Sequence, residues 1–115
     1  MRIDVIDYSW GQFDSLKETD PSRARLRGRL EHPDIPPQVA EALFEERILE
    51  LEGDFGDPSL GEPIEVDLLT LETDRRVIPI RIFNRGISLF MGGNSQIVRL
   101  HRFLSVLRSQ LAADG

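Results

Sequence analysis

The chain has 115 residues, of which 40 % are hydrophobic and 30 % charged, with a net charge of −6 and no cysteine. A chain of this length builds one core and buries roughly two-thirds of the surface its unfolded form exposes. The missing cysteines exclude disulfides, iron–sulfur clusters, thiolate zinc sites and cysteine nucleophiles. The opening "MRIDVIDYSW" carries aspartates where a secretory leader needs an apolar stretch, and no apolar run approaches the roughly 20 residues of a membrane span, so a cytoplasmic protein is expected.

Charge is divided along the chain. Residues 41–72 hold eleven acidic side chains against Arg47 alone, whereas residues 75–113 hold seven arginines and no acid. Thirteen of the fourteen basic residues are arginine, which suits planar contacts with carboxylate or phosphate but is equally the mark of GC-rich coding.

The first eight residues alternate as a short strand, and Ser9 to Ser22 reads as a loop whose Trp10 and Phe13 dock on the body. In "RARLRGRL" an extended chain would place Arg23, Arg25, Arg27 and Arg29 on one side. A helix over Pro21 to Glu31, capped by Asp20, competes with it and is the reading adopted. A helix follows from Pro36 and Pro37 to a stop at Gly53, with Val39, Ala40, Leu43, Phe44, Ile48 and Leu51 on its core stripe. Arg47 falls inside that apolar arc, where it must snorkel or pair. Next come three short strands, Ile64 to Glu72, Val77 to Phe83 and Ile87 to Met91, joined as an antiparallel meander. A phase change near Leu68 predicts a bulge, and Pro79 predicts a free edge or a local irregularity. From Ser95 the spacing of Ile97, Leu100, Leu104, Leu107 and Leu111 is helical and favours packing on the protein's own sheet over a dimer seam. The expected class is α+β in one domain over 1–115. A helix, a three-stranded meander and a C-terminal helix packed on the sheet form the body at 35–113, with 1–34 an arm or partly ordered segment.

Three candidate surfaces emerge. Glu41, Glu45, Glu46 and Glu52 line one side of the first helix as an acidic face for a basic protein partner, or for a second copy of the chain. The loop Gly92, Gly93, Asn94 and Ser95 opens a helix, and a meander would bring Arg75 and Arg76 to it as an anion site. It matches neither GxxxxGK[ST] nor GxGxxG, and a plain helix cap explains it too. Arg23, Arg25, Arg27 and Arg29, with Arg99, Arg102 and Arg108, form a candidate nucleic-acid surface, opposed by a pI near 4.9. No calcium-loop spacing, metal motif or nucleophile signature occurs, and His32 and His101 are the only imidazoles. The sequence therefore predicts a binding module rather than an enzyme, without cofactor, metal or membrane. Its partner is expected to be another protein or itself, with nucleic acid as second choice.

Overall fold

The computed structural model describes residues 2–15, 20 and 23–114. Five strands form one mixed sheet: β1 (Ile3–Phe13), β2 (Leu26–Glu31), β3 (Gly53–Gly56), β4 (Ile64–Thr73) and β5 (Val77–Phe83). Their spatial order is β2-β1-β4-β5-β3, antiparallel except for the β3–β5 pair. Helix α1 (Pro37–Glu45) connects the two edges of the sheet, α2 (Arg85–Phe90) follows β5, and α3 (Ser95–Asp114) closes the chain. The α+β class and the C-terminal helix stand as expected. The N-terminal third contributes an interior strand and an edge strand to the sheet.

Helices α1 and α3 cover one sheet face. Ile6 and Tyr8 from β1, Leu69 and Leu71 from β4, and Ile78, Ile80 and Ile82 from β5 meet Val39, Leu43, Leu100, Phe103, Leu104 and Leu107 in the main core. Gly28 on β2 lets α3 approach, since a Cβ there would lie 2.4 Å from the Leu111 side chain. The opposite face carries a small apolar cluster of Phe13, Ile64, Val66 and Phe83, together with ion pairs such as Arg29–Asp7 at 3.0 Å and Arg81–Asp54 at 2.6 Å.

The sheet departs from the expected meander at its third strand. Ile87 to Met91 belongs to α2 and the turn after it, because the β5 edge that this segment would have joined is occupied by β3 from Gly53↔Ile80 to Gly56↔Phe83. Pro79 lies just before that pairing begins, where its missing N–H is not required by β3. No bulge interrupts β4 near Leu68, where it stays in register with both neighbours; the register shift in its pairing with β1 lies at the far end, between Ile3 and Val5. The phase change arises because Asp67, not an apolar residue, takes the core-facing position between Val66 and Leu68.

Two helix expectations also change. Leu26–Glu31 is a strand, so the expected helix over residues 21–31 does not form; its proposed start at Pro21 lies outside the described residues. Helix α1 ends at Glu45, well before Gly53, because Arg47 adopts a left-handed backbone at φ 52°. Ile48 and Leu51 still reach the core through a short 3₁₀ turn, while Phe44 is turned outward.

Candidate functional site

The short helix α2 is tied down on one side and bare on the other. Its N-terminal neighbour Asn84 is buried at φ 49°, a conformation that asparagine tolerates better than most residues. The Asn84 carboxamide accepts from Glu65 N at 3.0 Å and donates to Asp57 O at 2.8 Å, while its backbone N–H donates to Glu65 O at 2.7 Å. The chain is thereby turned off the end of β5. In the first turn of α2, Arg85 points inward. Its Nε donates to Asp67 Oδ2 at 2.9 Å, Nη2 reaches Asp67 Oδ1 at 3.4 Å, and Nη1 lies 2.6 Å from His101 Nδ1. The Tyr8 hydroxyl donates to the same Asp67 carboxylate. Four side chains from β1, β4, α2 and α3 thus form one polar chain, buried at Tyr8, Asp67 and Arg85 and half-buried at His101.

The electrostatics follow from that geometry. Asp67 is wholly buried, and a charge in that position is tolerable only when paired and hydrogen-bonded. Burial opposes the Arg85 charge, but the Asp67 carboxylate outweighs it and holds the guanidinium above its ordinary pKa. Burial, and then the Asp67 charge, push the Tyr8 phenol well above its usual range, so it stays a donor. Desolvation first, and Arg85 second, hold His101 below its ordinary value. Since a guanidinium has no acceptor, His101 Nδ1 must accept from Arg85, which places the imidazole hydrogen on Nε2.

The outer side of α2 is apolar and uncovered. Phe90 is 93 % exposed, Met91 67 % and Ile87 41 %. Single exposed apolar residues are ordinary, but three within five positions of an anchored element form a patch of the kind that marks interaction surfaces.

A cleft of about 610 Å³ opens beside the buried chain. Arg85, His101, Ser105, Arg108, Ser109 and Leu26 line it. The α3 residues recur at helical spacing, so one helix face supplies most of the wall.

The expected sites are placed as follows. On the acidic face, Glu41 and Glu45 are exposed and carry no ion pair among the described residues. Glu46 lies 3.9 Å from Arg102 and Glu52 lies 3.8 Å from Arg76. In the glycine loop, Asn94 is an ordinary helix cap, accepting from Ile97 N at 2.9 Å. Arg76, in the β4–β5 turn, donates to Leu49 O at 3.0 Å, and because α2 stands in place of a returning third strand, no meander carries Gly92 back to Arg75 and Arg76. Among the proposed nucleic-acid contacts, Arg29 is paired with Asp7 and Glu31. Arg99 donates to Glu46 O at 2.7 Å and Arg47 O at 2.8 Å, satisfying carbonyls at the end of α1. The Arg108 guanidinium carbon lies over the Trp10 ring, 5.2 Å from its centroid. Arg23, Arg25 and Arg27 carry no ion pair among the described residues, and Arg25 and Arg27 lie on or beside edge strand β2.

Sequence reasoning missed Tyr8, Asp67 and Arg85. The available signal was Asp67, a carboxylate at the point where the strand's apolar alternation changes phase. Among the described residues no helix is long and apolar enough to cross a membrane. Comparison with protein-family models, with curated proteins and with solved structures finds no match.

Proposed function

We propose that the protein is a non-catalytic binding module that docks another protein through the outer side of α2, with Phe90 as the central anchor and Ile87 and Met91 beside it. The carrying observation is the near-complete exposure of Phe90 on a helix held in place from within by Arg85 and Asn84. Covering a phenylalanine contributes about 1.5–3 kcal/mol, and aromatic anchors presented on rigid elements dominate many interfaces. Glu41 and Glu45, which carry no ion pair among the described residues, favour a partner with basic side chains around its apolar contact.

The test is gentle purification of tagged chain from its own cells, comparing wild type with a Phe90→Ser/Met91→Ser variant and a Glu41→Gln/Glu45→Gln variant. The reading expects a stoichiometric companion protein that the first variant loses and the second retains more weakly, with thermal stability nearly unchanged in both. A companion held equally by all three chains contradicts it. Nucleic-acid binding has less support, because Arg29, Arg99 and Arg102 are engaged with the protein's own groups.

A further inference from the structure

We infer that the cleft between α3, α2 and β2 is a binding site for a small-molecule oxyanion, a phosphate monoester or a carboxylate, with Arg108 as its primary ligand. This site is independent of the docking surface on the outer side of α2. Three features converge on it.

The first is the state of Arg108. Its guanidinium is partly buried and lies over Trp10, yet it makes no hydrogen bond and no ion pair with any described residue. The other partly buried cations of the core region are spoken for: Arg85 by Asp67 and His101, Arg99 by two carbonyls. A cation–π contact with an indole face uses none of the guanidinium's N–H groups as hydrogen-bond donors, so they remain available for a planar, bidentate contact.

The second is the sign of the lining. The six lining residues include two arginines, a histidine and two serines, and no acid. The Arg85 charge is answered by Asp67 on its buried side, so the cleft retains about one positive charge from Arg108. His101 contributes a donor of defined position, because the Arg85 contact at Nδ1 leaves the hydrogen on Nε2. The Ser109 hydroxyl is exposed and makes no described hydrogen bond, whereas Ser105 already donates to His101 O at 2.9 Å. These groups donate hydrogen bonds to a ligand that only accepts them.

The third is size. About 610 Å³ lies inside the range of roughly 300–1,000 Å³ typical of small-molecule pockets and is larger than a bare ion requires. Leu26 supplies apolar surface for the body that carries the anion. Tyr8 and Asp67 do not reach the ligand; they position Arg85 and, through it, the His101 ring.

Trp10 is the only tryptophan in the chain and lies against the proposed ligand residue, so its emission reports directly on the site. The full chain is titrated at constant ionic strength with inorganic phosphate in one arm and benzoate in the other, following Trp10 fluorescence and melting temperature. Wild type is expected to show a saturable change in at least one arm; the responding arm identifies the head group. Arg108→Gln should weaken that binding about tenfold or more, the usual scale for losing a charge-assisted bidentate contact. Because Arg108→Gln also removes the contact with Trp10, Ser109→Ala is measured alongside and should weaken binding by a few-fold. Arg75→Gln makes the same charge change in the exposed β4–β5 turn and should leave binding unaltered. No saturable response in either arm, or equal weakening by Arg75→Gln and Arg108→Gln, overturns the site.

Discussion

Arg85 is the residue on which the interior depends most. It neutralises a fully buried carboxylate, donates to a half-buried imidazole and anchors the first turn of α2. Arg85→Gln should therefore destabilise the fold by about 3–5 kcal/mol in urea denaturation, because Asp67 would keep its burial and lose its counter-charge. Adding Asp67→Asn should recover part of that loss, with a coupling above about 1 kcal/mol. Additive losses would show that the pair is not the unit described. Gly56 is a second sensitive position: its φ is 82° and a Cβ would stand 2.0 Å from Phe83 O, so Gly56→Ala should cost at least about 2 kcal/mol. His101 gives a pH signature. Its folded pKa is lowered, so the folded state binds fewer protons than the unfolded chain, whose value is near 6.5. That contribution to stability is complete above pH 6.5 and is lost as pH falls through the folded value. Asp54, Asp57 and Asp74 are lowered from 3.8, the first by its hydrogen bond from Arg81, so they contribute only to losses at more acidic pH. Stability should thus decline below pH 6.5 in wild type, and His101→Gln should flatten that decline. An unchanged slope would contradict the assignment.

At the scale of elements, what was legible in the sequence was whatever depends on a single period. The α3 stripe, the two long strands of the β4–β5 hairpin and the start of α1 all follow from repeats of apolar residues within one segment. The misread elements are those decided by distant partners. Ile87 to Met91 alternates well enough for a strand, but β3 already holds the edge of β5, and Arg85 draws the chain toward Asp67. The α1 stripe continues past Glu45 on paper, while Arg47 turns left-handed and Arg99, 52 residues later, takes up its carbonyl. Arg99→Ala should accordingly cost about 2 kcal/mol and raise hydrogen exchange at the end of α1 first, since two charge-assisted bonds to that turn disappear. Uniform loss of protection across the sheet would argue against this local role. The buried site was illegible for the same reason: Tyr8, Asp67, Arg85 and His101 are spread over 94 residues and share no motif.

For the whole molecule, the division of charge along the chain turns out to be partly an internal arrangement. Glu46 approaches Arg102, Glu50 approaches Arg99 at 3.7 Å, Glu52 approaches Arg76, and Asp54 is bound by Arg81 at 2.6 Å. The acidic middle of the sequence and its arginine-rich end thus meet in space instead of presenting two opposed fields to solvent. Most of these pairs are exposed and individually worth about 0–1 kcal/mol, so they neutralise more than they stabilise. Among the described residues the most exposed large apolar side chain is Phe90 on α2, and the account stands or falls there. The most direct measurement places the photo-crosslinking amino acid benzoyl-phenylalanine at position 90, and separately at exposed Gln12 on the sheet, and illuminates living cells of the source organism. The account predicts one discrete adduct with a second, different protein at position 90 and none at position 12. No adduct at position 90, an adduct of twice the chain's own mass, or the same adduct from both positions would contradict it.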